Sequence, residues 1–167
     1  MIYRFLPALI FICSIFYITS CGHINATNAV ALEETESGLK WYDFKTAVEL
    51  NKKAKKKVLV DMYTSWCGWC KVMDRQTFTD QEVVAYLNEN FILVKFNAET
   101  KEPVEFKGQT YVYKPMGRRG ANGLAVQMLN GRLAYPSLVY LDADFNKIRV
   151  SPGFKKPQQL LDELKTL

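Results

Sequence analysis

The chain has 167 residues, 49% of them hydrophobic and 23% charged, with 22 Lys and Arg against 17 Asp and Glu for a formal charge of +5. That is enough apolar material for one globular core and too little chain for a second domain. Much of the positive excess lies in one run, Lys52-Lys53-Ala54-Lys55-Lys56-Lys57, which lacks interleaved aromatics and reads as a solvated face, not a nucleic-acid surface.

Residues 1–20 have a short start with Arg4, an apolar stretch from Phe5 to Ile18, and the small polar pair Thr19-Ser20. The stretch is shorter than the ~20 residues of a membrane-spanning helix, so it reads as a secretory signal. Ile18-Thr19-Ser20-Cys21 resembles the lipobox of bacterial lipoproteins, which implies that Cys21 is acylated and opens the mature chain; an uncleaved signal anchor is the alternative. Both place the domain outside the cytoplasm, in a bacterial envelope (the periplasm), and the first ties it to a membrane through Cys21, each buried methylene contributing about 0.8 kcal/mol. Residues 21–38 read as a flexible linker spanning roughly 20 to 25 Å. The single histidine, His23, lies there and is given no role.

The folded domain is expected over residues 39–167. Phe44, Ala47, Val48 and Leu50 recur at helical spacing and predict an amphipathic helix over 43–54. VLVDMY, residues 58–63, is apolar on both faces, as a strand buried in mid-sheet should be, with Asp61 the exception that needs a reason. A helix is expected from about Cys67 to Gln76, then a capping box in Thr79-Asp80-Gln81-Glu82 opening a helix whose apolar face is Val83, Val84 and Leu87. FILVKF, residues 91–96, predicts a second buried strand, so strand, helix and strand make a parallel unit with a right-handed crossover. Residues 97–131 carry Pro103, Gly108, Pro115, Gly117 and Gly120; they read as a surface insertion near the site with one helix across 121–129. Tyr135-Pro136 then leads into a strand SLVYLD, a turn at 144–146, a strand KIRVS and Gly153, and Pro157 opens a helix bearing Leu160, Leu161, Leu164 and Leu167.

The chemistry centres on Trp66-Cys67-Gly68-Trp69-Cys70, directly behind the first buried strand. A structural zinc site wants four ligands, which the mature chain does not supply, so no metal is expected. Covalent haem attachment wants histidine after the second cysteine, where Lys71 stands. A permanent staple across three residues constrains the unfolded chain little. Redox exchange remains: Cys67 at the helix N-terminus is favoured as thiolate and attacks, while the more enclosed Cys70, one turn on, resolves the mixed disulfide.

Asp61, Trp66-Cys67-Gly68-Trp69-Cys70-Lys71, Tyr135-Pro136 and Gly153 fall in the order found in the thioredoxin superfamily, and the wording from VDMYTSWCGWCK onward resembles the group that includes the C-terminal domain of thiol:disulfide interchange proteins. The resemblance implies an α/β thioredoxin fold, a central mixed sheet of four to five strands flanked by helices, with the insertion before a cis-Pro. It implies that Asp61 is the buried acid assisting proton transfer at Cys70, that Pro136 is cis and presents backbone to substrate beside Tyr135, and that Trp66 and Gly68 lie in the substrate contact. Trp69 is divided between surface contact and packing. No cofactor beyond the Cys67/Cys70 disulfide is implied; the partners are protein disulfides and a membrane or envelope thiol donor, acting on a monomer.

Two departures matter. The 65 residues between Cys70 and Pro136 exceed a minimal thioredoxin, and the dipeptide is Gly68-Trp69 where reducing thioredoxins have Gly-Pro. That dipeptide helps set a potential that ranges in the superfamily from about −270 mV to about −120 mV, so the direction of electron flow stays open. Protein-disulfide reduction is the expectation, with an oxidase or isomerase, or a non-catalytic binding module, as alternatives.

Overall fold

The computed structural model describes Glu33–Glu34 and residues 38–167; the expected signal peptide, Cys21 and His23 lie outside the described residues. A six-stranded sheet runs through the molecule. Its strands are β1 (Glu33–Glu34), β2 (Lys40–Tyr42), β3 (Lys57–Tyr63), β4 (Phe91–Asn97), β9 (Ser137–Leu141) and β10 (Lys147–Pro152), in the spatial order β1-β2-β4-β3-β9-β10. Five strands form the mixed central sheet, and the two-residue β1 adds an edge. β3 and β4 are parallel, while β9 runs antiparallel to β3, so the sheet is mixed.

Helices cover both faces. α1 (Phe44–Ala54) and α4 (Gly123–Met128) pack on Val58, Val60 and Met62; α2 (Gly68–Gln76), α3 (Gln81–Asn90) and α5 (Pro157–Leu164) pack on the face carrying Leu59, Leu93, Leu138 and Tyr140. This two-sided cover is why the β3 and β4 sequences read as unbroken apolar runs. Strand alternation puts Asp61 and its register partner Lys95 on the α2 face, with Leu59 and Leu93.

The sequence-based expectation for α1 differs in one residue. Leu50 is 42% exposed and Asn51 is buried in its place. Asn51 donates to the carbonyls of Lys56 and Ala143 and accepts from Lys56 N–H, satisfying the chain where α1 turns into β3. The cap of α3 also shifts by one position. Asp80, not Thr79, accepts from Glu82 N–H and Val83 N–H, while the Thr79 hydroxyl donates back to Arg75.

Residues 97–131 are not merely a surface excursion. They form two hairpins, β5 (Val104–Phe106) with β6 (Gln109–Tyr111) and β7 (Tyr113–Met116) with β8 (Arg119–Asn122), followed by α4. Phe106, Tyr111, Leu124, Ala125, Met128 and Leu129 join the core on the α1 face. Asn122 locks the segment: its side chain donates to Glu102 and Tyr111 carbonyls, accepts from Leu124 N–H, and its own N–H donates to Ala98. Gly120 lets the second hairpin close, because a Cβ there would stand 2.4 Å from both the Lys114 carbonyl and the Tyr113 hydroxyl.

Candidate active site

The end of β3 delivers the motif through a turn in which Cys67 N–H donates to the Thr64 carbonyl at 3.1 Å. Cys67 is the N-cap of α2, and its Sγ accepts from Cys70 N–H at 3.1 Å. The two cysteines are joined, with S–S 2.01 Å and Cα–Cα 5.3 Å. After reduction the same N–H and the positive end of the nine-residue helix favour a thiolate at Cys67. The contrast in enclosure expected between the two is slight, Cys67 being 4% and Cys70 2% exposed.

Beneath α2 lies a charged cluster in an otherwise apolar layer. Lys95 Nζ bonds Asp61 Oδ2 at 2.6 Å and also bonds Asp74 on α2. The ammonium also sits 5.0 Å from the centroid of Trp41, 5.2 Å from Tyr63 and 5.6 Å from Phe78. Asp61 is 1% exposed, and its Oδ1 has no partner among the described residues. Burial pushes the Asp61 carboxyl above its ordinary range, and the Lys95 charge only partly opposes this. Lys95 is held above its usual value by Asp61 and Asp74, against the effect of burial. Sequence reasoning singled out Asp61 and missed Lys95 and Asp74. The signal was present, since Lys95 interrupts FILVKF as Asp61 interrupts VLVDMY, and parallel pairing sets the two side by side.

The Tyr135–Pro136 bond is cis, and the Pro136 carbonyl accepts from Gly153 N–H at 2.7 Å. Gly153 has φ +90°, a conformation other residues adopt only with strain, so this turn favours glycine. Tyr135 and Pro136 join Trp69, Gly153 and Phe154 around an open groove of about 360 Å³ beside the disulfide. Trp69 is 62% exposed and tilts against Phe154 with ring centroids 5.4 Å apart, so it serves both surface and packing. On the other side Trp66 meets Tyr135 edge-on at 6.2 Å and donates from Nε1 to Glu99 at 2.9 Å, while Arg119 lies 4.1 Å above its ring. Burial and the Glu99 charge push the Tyr135 phenol up to about 12, so it stays protonated at neutral pH. Phe154, Glu99 and Arg119 carried no motif that would have marked them. Among the described residues no group of three or more His, Cys, Asp or Glu side chains could hold a metal ion, and no helix is long and apolar enough to cross a membrane.

A disulfide-forming Cys-x-x-Cys at a helix start, behind a central strand and beside a cis-Pro loop, defines a protein of the thioredoxin superfamily, with the equipment of a thiol-disulfide oxidoreductase. Within it, the chain belongs to the family described as Thioredox_DsbH, "Protein of unknown function, DUF255", whose model matches residues 23–164. Among solved structures it is similar to one titled DsbH Oxidoreductase, with TM-score 0.55 and 21% identity over 77% of this chain and 83% of that one. A thioredoxin from Thermus thermophilus aligns with TM-score 0.56 and 20% identity over 75% and 84%. These likenesses establish the fold. Among curated proteins, spermatogenesis-associated protein 20 of Mus musculus is 30% identical over 90 residues, 53% of this chain. The chain spans about a tenth of the length of the curated relatives it matches, 11% in that case.

Proposed function

We propose that this protein is an extracytoplasmic thiol-disulfide oxidoreductase that reduces protein disulfides through Cys67 and Cys70. The observation that carries the reading is the Cys67–Cys70 disulfide at the N-terminus of α2, with the Cys67 sulfur on a backbone N–H and the cis-Pro136 groove alongside. In each turnover the Cys67 thiolate attacks one sulfur of a substrate disulfide, and the other substrate sulfur leaves as thiolate and takes a proton. Cys70, losing its proton, then attacks Cys67 Sγ, closing the Cys67–Cys70 bond and releasing the second substrate thiol. Two electrons and two protons pass to the substrate, and an external dithiol donor in the envelope restores the pair.

Asp61 is the proton acceptor for Cys70 in this scheme. Its carboxyl, raised by burial, holds a proton more readily than an ordinary aspartate, and Lys95 stabilises the charged form between transfers. Trp66, Gly68, Trp69, Tyr135 and Pro136 form the surface on which the substrate segment lies. After removal of signal residues 1–20, acylated Cys21 and linker 21–38 would hold the domain of residues 39–167, as a monomer, at a membrane.

The test is reduction of a model protein disulfide by the purified protein with an added dithiol. Catalysis lost in Cys67→Ser is the expected result; an unchanged rate in that variant ends the proposal. A reduction potential above about −150 mV would redirect the assignment to an oxidase or isomerase. Mass spectrometry of the mature N-terminus should find acylated Cys21, and an intact Met1 would overturn the anchor.

A further inference from the structure

The groove beside the disulfide is walled by Trp69, Tyr135, Pro136, Gly153 and Phe154, and cations stand next to these wall residues: Lys155 beside Gly153 and Phe154, and Arg119 on Trp66, the ring neighbour of Tyr135. At one end Lys155 Nζ lies 3.2 Å from the Gly153 carbonyl and 2.9 Å from that of Pro152, next to Phe154. At the other, Trp66 touches Tyr135 and carries the Arg119 guanidinium on its face. The β7–β8 hairpin that presents Arg119 also exposes Lys114 and Arg118. The nearby carboxylates are already engaged: Glu99 accepts from Trp66 and lies 3.7 Å from Arg119, and Asp74 pairs with Lys95. A segment entering the groove therefore meets aromatic surface in the middle, Lys155 on one side, and on the other the hairpin cations Lys114, Arg118 and Arg119, which outnumber the Glu99 carboxylate paired with Arg119.

We propose that the groove selects substrate disulfides lying in acidic segments of other proteins: an extended stretch with an apolar residue beside the cystine and Asp or Glu on its flanks. This rests on the reductase reading above and names the substrate class of the same site. The apolar residue packs against Trp69 and Phe154, and the flanking carboxylates reach Arg119 at one end and Lys155 at the other. The chemistry is unchanged, two electrons passing from the Cys67/Cys70 pair to the substrate cystine, with one proton supplied by Cys70 and one by solvent; the charges act on association. An exposed ion pair contributes at most about fivefold in affinity, so two such contacts amount to on the order of tenfold, weakened as salt screens them.

The experiment uses the full chain with dithiothreitol as donor and three cystine peptides, identical except for Asp, Lys or Ser on both flanks of a Leu-Cys pair. Each rate is divided by the uncatalysed reduction of that peptide by dithiothreitol, which removes intrinsic charge effects on thiolate attack. The acidic peptide should show kcat/KM on the order of tenfold above the lysine peptide at low salt, with serine between and the gap narrowing at high salt. In Arg119→Gln/Lys155→Gln the ratio of acidic to lysine peptide should fall toward one, a readout independent of how much protein is active. Equal rates for the three peptides, a preference for lysine, or a ratio unmoved in the double variant overturns the inference while leaving the reductase reading intact. Catalysed reduction of none of the peptides overturns both.

Discussion

Lys95→Met removes one charge from the layer beneath α2 while keeping most of the apolar stem. The Asp61 carboxylate, 1% exposed, then loses its 2.6 Å bond at Oδ2 and has no partner at Oδ1 among the described residues. Removing one partner of a buried ion pair costs about 3–5 kcal/mol, because the remaining charge is uncompensated. Loss of the ammonium over the Trp41 and Phe78 rings is partly offset, since a thioether also packs well against aromatic rings. With a urea slope of about 2 kcal/mol/M, the unfolding midpoint should fall by on the order of 2 M at neutral pH. The sign with pH follows from proton linkage: a carboxyl whose pKa is raised by folding binds its proton more tightly in the folded state, so stability falls as pH rises above the ordinary value of 3.8. The variant, with Asp61 raised further, should therefore lose less at about pH 5 than at about pH 8. Urea titrations of oxidised protein at both values, with Asp61→Asn/Lys95→Met as companion, give the measurement. A loss under about 1 kcal/mol at neutral pH, equal losses at the two pH values, or a double variant no more stable than the single one refutes the reasoning.

Three further outcomes are expected. Cys70→Ala should accumulate a covalent adduct between Cys67 and a substrate thiol, visible by mass spectrometry and lost on reduction, because the resolving step is gone. Thr64→Val should stabilise by about 1 kcal/mol in thermal or urea unfolding, since the Thr64 hydroxyl is buried without a partner among the described residues and valine preserves its shape; destabilisation would mean the hydroxyl is engaged. Gly120→Ala should cost about 1–3 kcal/mol and loosen the second hairpin, seen as faster amide exchange over residues 113–122, because its Cβ would meet the Lys114 carbonyl at 2.4 Å.

Much of this arrangement is legible in the sequence because it rests on local rules. The apolar runs at 58–63 and 91–96 mark central strands since both faces of the sheet are covered, and Cys67 and Cys70 fall at a helix start since a short turn, residues 64–66, carries the strand end into the N-cap. β2 escaped notice because three residues are too short for a periodic signal. By hydropathy Leu50 outranks Asn51 for the buried face of α1, but the burial of Asn51 depends on carbonyls supplied by Lys56 and the distant Ala143. The glycines and prolines of segment 97–131 signal turns and hence surface, and nothing local reports that Phe106 and Tyr111 fold back onto the α1 face.

The sequence by itself determined the strand-helix-strand unit, the cysteine pair at its junction, and the presence of one unexplained carboxylate, because each depends on periodicity or spacing within a few residues. Tertiary structure decided what those pieces mean to one another. Parallel pairing of β3 and β4 sets Lys95 against Asp61, α2 adds Asp74 from above, and the cis-Pro loop and inserted hairpin close on Trp69 and Trp66 from opposite sides. Those contacts join residues as far apart as Trp69 and Phe154 or Trp66 and Arg119, and they form when strand pairing and helix packing carry distant segments to the same end of the sheet.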